Sequence, residues 1–244
     1  MEQIKHKAYK FRINPTDDQC VLLEKHFGCS RFIYNRLLKE KQDHYLNNKK
    51  TLNYNAGCSI ISELKKQEGT IWLKEINSQS LQQSAKDLET AYGNFFRGNA
   101  KFPKFKKKGF KDSFRCPQFV TVNGSKLIIP KFKGGIEFRK HRKIEGVIKS
   151  CTISKRSTGK YYVSILTEQE MNPLPKTGKE TGIDLGIKDF GITSDGKKYN
   201  NPRNTKKYSN TLKKIQKDLS RKVKGSNRYI KQKVKVAKIH EKIT

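Results

Sequence analysis

Apolar residues recur at intervals of three and four along residues 20–37, the spacing of a helix that packs one face inward. Just before them, Thr16-Asp-Asp-Gln19 has the sequence of a capping box, which predicts that the helix begins there. The inward-facing stripe consists of Cys20, Leu23, Phe27, Ser30, Tyr34 and Leu37. Arg31 and Asn35 belong to another, polar face of the same helix.

Two more helices are predicted in the first hundred residues. A loop at residues 53–57, rich in asparagine and ending in glycine, leads into a helix near residues 59–67. A third helix is expected from about Ser78 to a stop at Gly98. Its aromatic pair Phe95-Phe96 is interpreted as core, with a surface platform for stacking as the alternative.

The pattern changes to short, alternating strands between residues 114 and 168. Residues 119–122 and 126–129 flank an Asn-Gly pair and form the clearest predicted hairpin. Further strands are predicted at residues 135–139, 147–154 and 161–167. Several short antiparallel strands close naturally into a small barrel, and the alternating basic and apolar segment 5–13 is expected to join it.

A glycine-flanked acid marks the next segment. Ile183, Leu185 and Ile187 alternate as one face of a predicted buried strand, with Gly182, Asp184 and Gly186 on the other. Flanking glycines leave an open approach to the carboxylate, as a metal ion and a phosphate would need. An acid at the end of an ordinary strand is the alternative. Two strongly basic helices follow, interrupted at residues 225–227.

Charge narrows the possible partners. The 244-residue chain carries 54 Lys and Arg against 22 Asp and Glu, a formal net charge of +32 spread from end to end. Such a field favours a polyanion, because neutralised phosphates release their condensed counterions. No apolar run reaches the about 18 residues of a membrane span, so no membrane partner is expected. The five cysteines include no Cys-x-x-Cys pair, which argues against a zinc finger and for a reducing, cytoplasmic location.

Residues 101–108, Lys-Phe-Pro-Lys-Phe-Lys-Lys-Lys, are too basic for a core but suit phosphates with stacking rings between them. A solvated basic linker is the alternative there, as a solvated helix face is for Arg31 and Asn35. The residues predicted to contact the nucleic-acid backbone are Arg31, Asn35, Lys101, Lys104, Lys106, Lys107, Lys108, Arg115, Arg139 and Arg142. On the third helix, Gln79, Gln82, Gln83 and Lys86 share a polar face, and glutamines can read base edges in a groove.

Five segments together carry a family resemblance: KFRINPT at 10–16, GCSRFIYNR at 28–36, DLETAYGNFF at 87–96, KLIIPK at 126–131 and GIDLGI at 182–187. In this order they resemble the TnpB (OrfB) proteins of bacterial insertion sequences, compact RNA-guided relatives of type V CRISPR effectors. The resemblance extends over the whole chain.

The resemblance implies an α+β multidomain fold, in which a wedge β-barrel carries an inserted helical recognition domain and is followed by a partial RuvC domain of RNase H fold. The implied boundaries are 1–14 for the first wedge strand, 15–99 for the recognition domain, 100–172 for the wedge barrel, 173–178 for a linker and 179–244 for the RuvC-like part. The polar face of the third helix, with Tyr54 as a helper, is then implied to read a short DNA motif beside the target.

In that family the acid matching Asp184 is the first of three carboxylates that hold two divalent ions for phosphodiester hydrolysis. The resemblance places the other two acids, and a Cys-rich zinc ribbon, beyond Thr244. Asp189 and Asp195 are interpreted as a loop acid and a turn acid. Asp184 is therefore expected to be vestigial, with Mg²⁺ required only if nuclease activity survives and no cofactor required for binding.

The function expected from these features is that of a nuclease-deficient, TldR-like repressor, which binds guide RNA and double-stranded target DNA without cutting. The protein is expected to be monomeric within the ribonucleoprotein and associated with the bacterial nucleoid. One alternative is a fragment of an RNA-guided endonuclease that cuts through a RuvC two-metal site. The other is a generic basic RNA-binding protein, which the charge alone would satisfy.

Overall fold

Strand β1, Gln3–Asn14, lies in the middle of the largest sheet of a computed structural model, which describes residues 3–171, 175 and 177–244. The chain divides into two compact units, Glu2–Met171 and Asn172–Thr244, called here the first and second unit. Residues 173, 174 and 176 of the predicted linker lie outside the described residues.

The helices of the first unit separate β1 from the remaining strands: α1 Asp17–Asn48, α2 Tyr54–Leu64, a 3₁₀ segment Glu68–Glu75 and α3 Ser78–Phe96. The capping box predicted for α1 is confirmed. The Gln19 backbone N–H donates to Thr16 Oγ1 at 3.4 Å, and the Thr16 N–H donates to Gln19 Oε1 at 3.2 Å. The predicted stripe is also confirmed, because Leu23, Phe27 and Leu37 are buried.

Helix α2 begins earlier than predicted. Asn53 caps it by accepting a 2.9 Å hydrogen bond from the Ala56 N–H, so Asn55 and Gly57 are helical rather than part of a loop. Gly57 is buried, and a Cβ added there would lie 3.6 Å from Leu37 Cδ1. The glycine therefore lets α2 approach α1 closely. The sequence alone predicts a loop at the same glycine.

The strands of the first unit are β2 Ser113–Cys116, β3 Thr121–Asn123, β4 Lys126–Ile128, β5 Ile136–Phe138, β6 Val147–Lys155 and β7 Tyr161–Met171. They form a seven-stranded antiparallel sheet with β1, in the order β2-β6-β7-β1-β5-β4-β3. The prediction that β1 joins these strands is confirmed. Within the described residues β2 and β3 remain sheet edges, so the sheet curls into an incomplete barrel rather than the closed one expected.

Helix α1 contributes to two hydrophobic cores. Leu23 and Phe27 pack into the concave side of the sheet with Phe11 and Phe138, whereas Ile33 belongs to a second core formed with α2 and α3. The inward residues of β1 are Tyr9, Phe11 and Ile13, whereas Ala8 is exposed because side chains alternate along a strand.

The second unit contains a small sheet, in the order β10-β9-β8, and two helices. Its elements are β8 Ile183–Asp184, β9 Asp189–Thr193, β10 Lys198–Asn200, α4 Asn204–Ser220 and α5 Asn227–Ile243. The predicted burial of Ile183, Leu185 and Ile187 is wrong, since their exposed fractions are 65%, 71% and 89%. The alternation of apolar residues correctly predicted a strand at Ile183, but no described element of this unit covers these apolar side chains.

Among the residues that the structure describes, no helix combines the length and the apolar character that a membrane crossing requires.

Candidate nucleic-acid interface

The basic segment, residues 101–108, runs without regular secondary structure along the surface of the first unit. Asn35 of α1 holds it by both of its amide atoms. The Lys106 backbone N–H donates to Asn35 Oδ1 at 2.7 Å, and Asn35 Nδ2 donates to the Lys106 carbonyl at 3.0 Å. Pro103 is buried, whereas all five lysines of the segment are exposed: Lys101, Lys104, Lys106, Lys107 and Lys108. The segment is therefore fixed to the helix while its lysines face outward.

Lys106 differs from its neighbours. Its Nζ lies 4.0 Å from the centre of the Tyr34 ring, a cation–π contact. Partial burial of the ammonium lowers the pKa of Lys106, and the Asp87 carboxylate acts in the opposite direction. Lys106 therefore has a packing role against Tyr34. Its contact with a phosphate stays a prediction.

Arg31 lies behind the basic segment on α1. Its Nη1 is 3.0 Å from Asp112 Oδ1 in a half-buried ion pair, and Asp112 Oδ2 accepts from the Gly109 N–H at 2.9 Å. The pair fixes the end of the basic segment where it leads into β2. Arg31 and Asn35 are therefore placed as supports of the segment, and direct contact of either with nucleic acid remains a prediction.

The other predicted backbone contacts lie on the sheet. Arg115 projects from β2 and donates to Ser150 Oγ at 3.0 Å. Arg139 and Arg142 are exposed just after β5, where the Arg142 guanidinium lies 5.4 Å from the Tyr9 ring centre.

The polar face of α3 is formed as predicted, but its side chains differ in availability. Gln79 Nε2 donates to Gln118 Oε1 at 2.8 Å, and Gln83 Nε2 donates to Asp87 Oδ1 at 2.9 Å. Gln82 and Lys86 are exposed. Tyr54, at the start of α2, lines a small cavity with Ala85, Leu88 and Glu89 and so lies beside this face rather than on it. Reading of a DNA motif by these residues stays a prediction.

The structure also exposes aromatic side chains that the sequence placed in the core. Phe96 is 77% exposed, which contradicts the core interpretation of Phe95-Phe96 for that residue. Its ring lies 5.3 Å from that of Phe95, which contacts Phe102 of the basic segment edge-on at 5.2 Å. Because α3 ends at Phe96, the last turn of the helix leaves this ring beyond the helical core. The sequence predicted the end of the helix near Gly98, but it did not show which of the two adjacent rings would be buried.

Asp184 is exposed, and the two acids that follow it lie at the start of β9 and in the β9–β10 turn. Ile192 of β9 is its cross-strand partner, so Asp184 and Ile192 share a face of the small sheet. The register of β9 with β10 shifts by one residue at Phe190, so that Asp189 pairs with Asn200 while Ile192 pairs with Lys198, and this pairing puts Asp189 on the same face as Asp184. Asp195 is held in the following turn by Lys197 at 2.8 Å and by the Thr193 hydroxyl, and these two bonds lower the pKa of Asp195.

A two-metal centre needs several convergent acids. Within the described residues no group of three or more His, Cys, Asp or Glu side chains is placed to hold a metal ion. The acids near Asp184 therefore do not by themselves fit a pair of divalent cations. Asp195 lies in the β9–β10 turn, as interpreted, whereas Asp189 is the first residue of strand β9 rather than a loop acid.

Family models match both ends of the chain. One described as "Helix-turn-helix domain" of OrfB proteins of IS605 type matches residues 1–50, whose described part forms β1 and the single helix α1. Another, described as "Probable transposase" of the same OrfB group, matches residues 163–244.

Two similar proteins align with essentially the whole chain. "Putative RNA-guided DNA endonuclease InsQ" of Escherichia coli K12 is 39% identical over 96% of this chain, and "Putative RNA-guided DNA endonuclease" of Streptomyces pristinaespiralis is 34% identical over 100% of it. The chain spans 58% and 61% of the lengths of these relatives. A solved Cas12f1-sgRNA-target DNA complex aligns with a TM-score of 0.37 at 13% identity, over 98% of this chain and 64% of that one.

Proposed function

The chain belongs to the OrfB (TnpB) family, and from this premise we propose that it is an RNA-guided DNA-binding protein. The observation that carries the proposal is the basic segment, which Asn35 fixes on α1 and whose five lysines are all exposed. Because the backbone at Lys106 is already fixed, the lysines of the segment can neutralise phosphates and release their counterions at a smaller ordering cost than a free tail would need, and the net charge of +32 adds to the attraction. The names of the two relatives support RNA guidance and DNA as the target.

The proposal divides recognition between protein and RNA. The protein would hold guide RNA through its basic surfaces and read a short motif on duplex DNA with the polar face of α3. Gln82 and Lys86 are free to enter a groove, and Gln83 can follow if it releases Asp87. Base pairing with the guide would read the rest of the target.

The finer part of the proposal is that the 244-residue polypeptide binds its target without cutting it. The supporting observations are that Asp195 is held in its turn by Lys197 and the Thr193 hydroxyl, and that within the described residues no group of three or more potential metal ligands forms around Asp184. One carboxylate does not offset the charge of two Mg²⁺ ions. Bound at a promoter as a monomeric ribonucleoprotein, such a protein would repress transcription by occupying the site.

RNA-guided cleavage is the second candidate. It is favoured by the endonuclease names of the relatives and by the exposure of Asp184, which leaves that carboxylate open to further ligands. Mg²⁺ would be needed for cutting alone, because neither candidate requires it for binding.

The test begins with the RNA that copurifies with the protein, which is sequenced to identify the guide. Duplex DNA matched to that guide is then compared with a scrambled duplex, with and without Mg²⁺. Tight, salt-sensitive binding of the matched duplex without cleavage is the expected result. Mg²⁺-dependent cleavage by this polypeptide would refute the repressor proposal in favour of RNA-guided cleavage. Equal binding of both duplexes would refute RNA guidance and favour a generic RNA-binding protein.

A further inference from the structure

Gly28 occupies an interior position of α1 that has no packing explanation. Glycine in the middle of a helix costs about 0.5–1 kcal/mol relative to alanine. A Cβ added at Gly28 would meet nothing within 4 Å, in contrast to Gly57, whose added Cβ would contact Leu37. Neither close helix packing nor a left-handed backbone conformation calls for glycine here, and its effect is to leave open space above α1.

Two open surface cavities share Gly28 as a lining residue, and they are called the groove here. One part is lined by Arg31, Phe32, Asn35, Arg36, Lys39 and Phe105. The other is lined by Lys25, Cys29, Trp72 and Glu75. Phe105 is 50% exposed and Trp72 is 37% exposed, so each part of the groove presents an aromatic surface to solvent.

The walls of the groove are held in place. Phe105 precedes Lys106, whose backbone N–H and carbonyl are both bonded to Asn35. On the other side, Phe32 meets the Trp72 ring edge-on at 5.1 Å, and Trp72 Nε1 donates to the Gly69 carbonyl at 3.0 Å. Pre-positioned rings suit a stacking partner because few rotamers remain to be ordered on binding.

Charge along the groove favours an anion. Three of its cations have carboxylate partners: Arg31 with Asp112, Arg36 with Glu40 through Nη2 at 2.6 Å, and Lys25 with Glu75. Lys39 is exposed and adds an unbalanced positive charge, next to the lysines of the basic segment. The remaining N–H groups of the Arg36 fork and the Lys39 ammonium can both donate to a phosphate.

We propose that this groove binds one unpaired nucleotide of the guide RNA, with the base against Phe105 above Gly28 and the phosphate at Arg36 and Lys39. The proposal rests on the function proposed above. A base reaches a groove of this kind only when it is unpaired, and a folded RNA presents such bases in loops and bulges. The target DNA strand, by contrast, is paired with its complement before recognition and with the guide afterwards, and the other DNA strand becomes unpaired only after the guide has displaced it.

The test measures the affinity of the protein for a single-stranded oligoribonucleotide of about ten nucleotides, a length in the range of single-strand sites. Trp72 is the single tryptophan of the chain and lines the groove, so quenching of its fluorescence reports occupancy. Phe105→Ala should weaken binding about tenfold, since stacking contributes about 1–3 kcal/mol per base, whereas Phe105→Tyr keeps the ring and should bind like the wild type.

Side chains added at Gly28 fill the groove and give a second test, in which stability and RNA affinity should change in opposite directions. Gly28→Ala should raise resistance to urea unfolding while weakening RNA binding, and Gly28→Leu should weaken binding further. Gly93→Ala makes the same change inside α3, and Phe110→Ala removes a ring that is 68% exposed outside the groove. Both controls should bind as the wild type does.

Each other result has a defined meaning. If the wild-type protein does not bind the oligoribonucleotide, the proposed function itself fails. If it binds and the Gly28 and Phe105 variants bind equally well, or the controls lose as much affinity as they do, the groove is not the site. If the matching oligodeoxyribonucleotide depends on Phe105 as strongly as the RNA does, the assignment to guide RNA is overturned in favour of a DNA strand.

Discussion

His26 makes the stability of the first unit sensitive to mildly acidic pH. Its side chain is 0% exposed and packs between the rings of Phe114, at 4.7 Å, and Phe132, at 5.2 Å. Nδ1 lies 2.8 Å from the Leu22 carbonyl, so it carries the proton and donates there, while Nε2 accepts from the Asn77 N–H at 3.3 Å. A second proton on the ring would set two donors, Nε2–H and Asn77 N–H, against each other.

Burial lowers the pKa of His26 from 6.5 to about 4, with a smaller contribution from Lys131 in the same direction. The unfolded ring therefore binds a proton before the folded ring does, and stability present above the unfolded pKa is lost as the pH falls toward the folded pKa. At about pH 5 the unfolded ring favours the charged form about thirtyfold, which corresponds to a loss of about 2 kcal/mol relative to about pH 7.

The measurement is urea unfolding at the two pH values, followed by Trp72 fluorescence, for the wild type and for His26→Gln. The glutamine amide does not titrate and can still accept from Asn77, so the variant should lose about 2 kcal/mol less on acidification. Subtracting the two losses removes contributions from other groups. Glu24 is one of these: bonds from Lys155 and Tyr161 outweigh its burial and lower its pKa, so its contribution is lost only at more acidic pH.

Equal losses in the two proteins would refute this reasoning. If His26→Gln does not fold, the His26 ring can be titrated in the wild type by NMR, and a pKa near 6.5 would refute it equally well.

Three further outcomes follow from the interface. Asp184→Ala should leave the affinity for target DNA within about twofold in gel-shift titrations, because the exposed carboxylate supports no described element. A loss of affinity of about tenfold or more would show that Asp184 contributes to binding. Gln83→Ala should relax preference for the DNA motif by about 1–3 kcal/mol at the base it reads while lowering affinity for other sequences less, and equal losses on all motifs would refute its role. Replacing Lys101, Lys104, Lys107 and Lys108 with alanine should reduce the slope of log affinity against log salt by roughly 0.7 for each lysine that contacts a single-strand phosphate; an unchanged slope would remove the basic segment from the interface.

Features of the first unit that depend on neighbouring residues were predictable from sequence. The start of α1 was one, because both partners of its capping box lie within Thr16–Gln19. The strands after residue 114 were another, because alternation and a turn residue at Gly124 are local signals. The turn itself uses Gly124 and Ser125, one position later than predicted, since Asn123 pairs with Lys126.

Features set by distant partners were not predictable. The burial of Gly57 depends on Leu37 and Ala85 of two other helices, and the exposure of Ile187 depends on the lack of a described element over its face. The same limit applies to the interface. Composition marked the basic segment as exposed, but the two hydrogen bonds that fix it join residues 71 positions apart. No spacing rule connects Asn35 with Lys106, and only the fold shows Gly28 facing Phe105.

Helix α1 explains why the candidate interface is rigid although it is composed largely of long basic side chains. Leu23 and Phe27 anchor one end of the helix in the sheet core, and Ile33 and Leu38 anchor the next turns in the helical core. Gly28 and Asn35 lie on another face of the same helix, and Asn35 makes the two hydrogen bonds that hold Lys106. Because the helix is packed into both cores, this face cannot move independently of either one. A disordered basic tail would lose conformational entropy when it binds a polyanion, whereas a segment clamped to a doubly anchored helix has already lost it on folding. Removing the two hydrogen bonds between Asn35 and the Lys106 backbone should therefore weaken nucleic-acid binding even when every positive charge is kept.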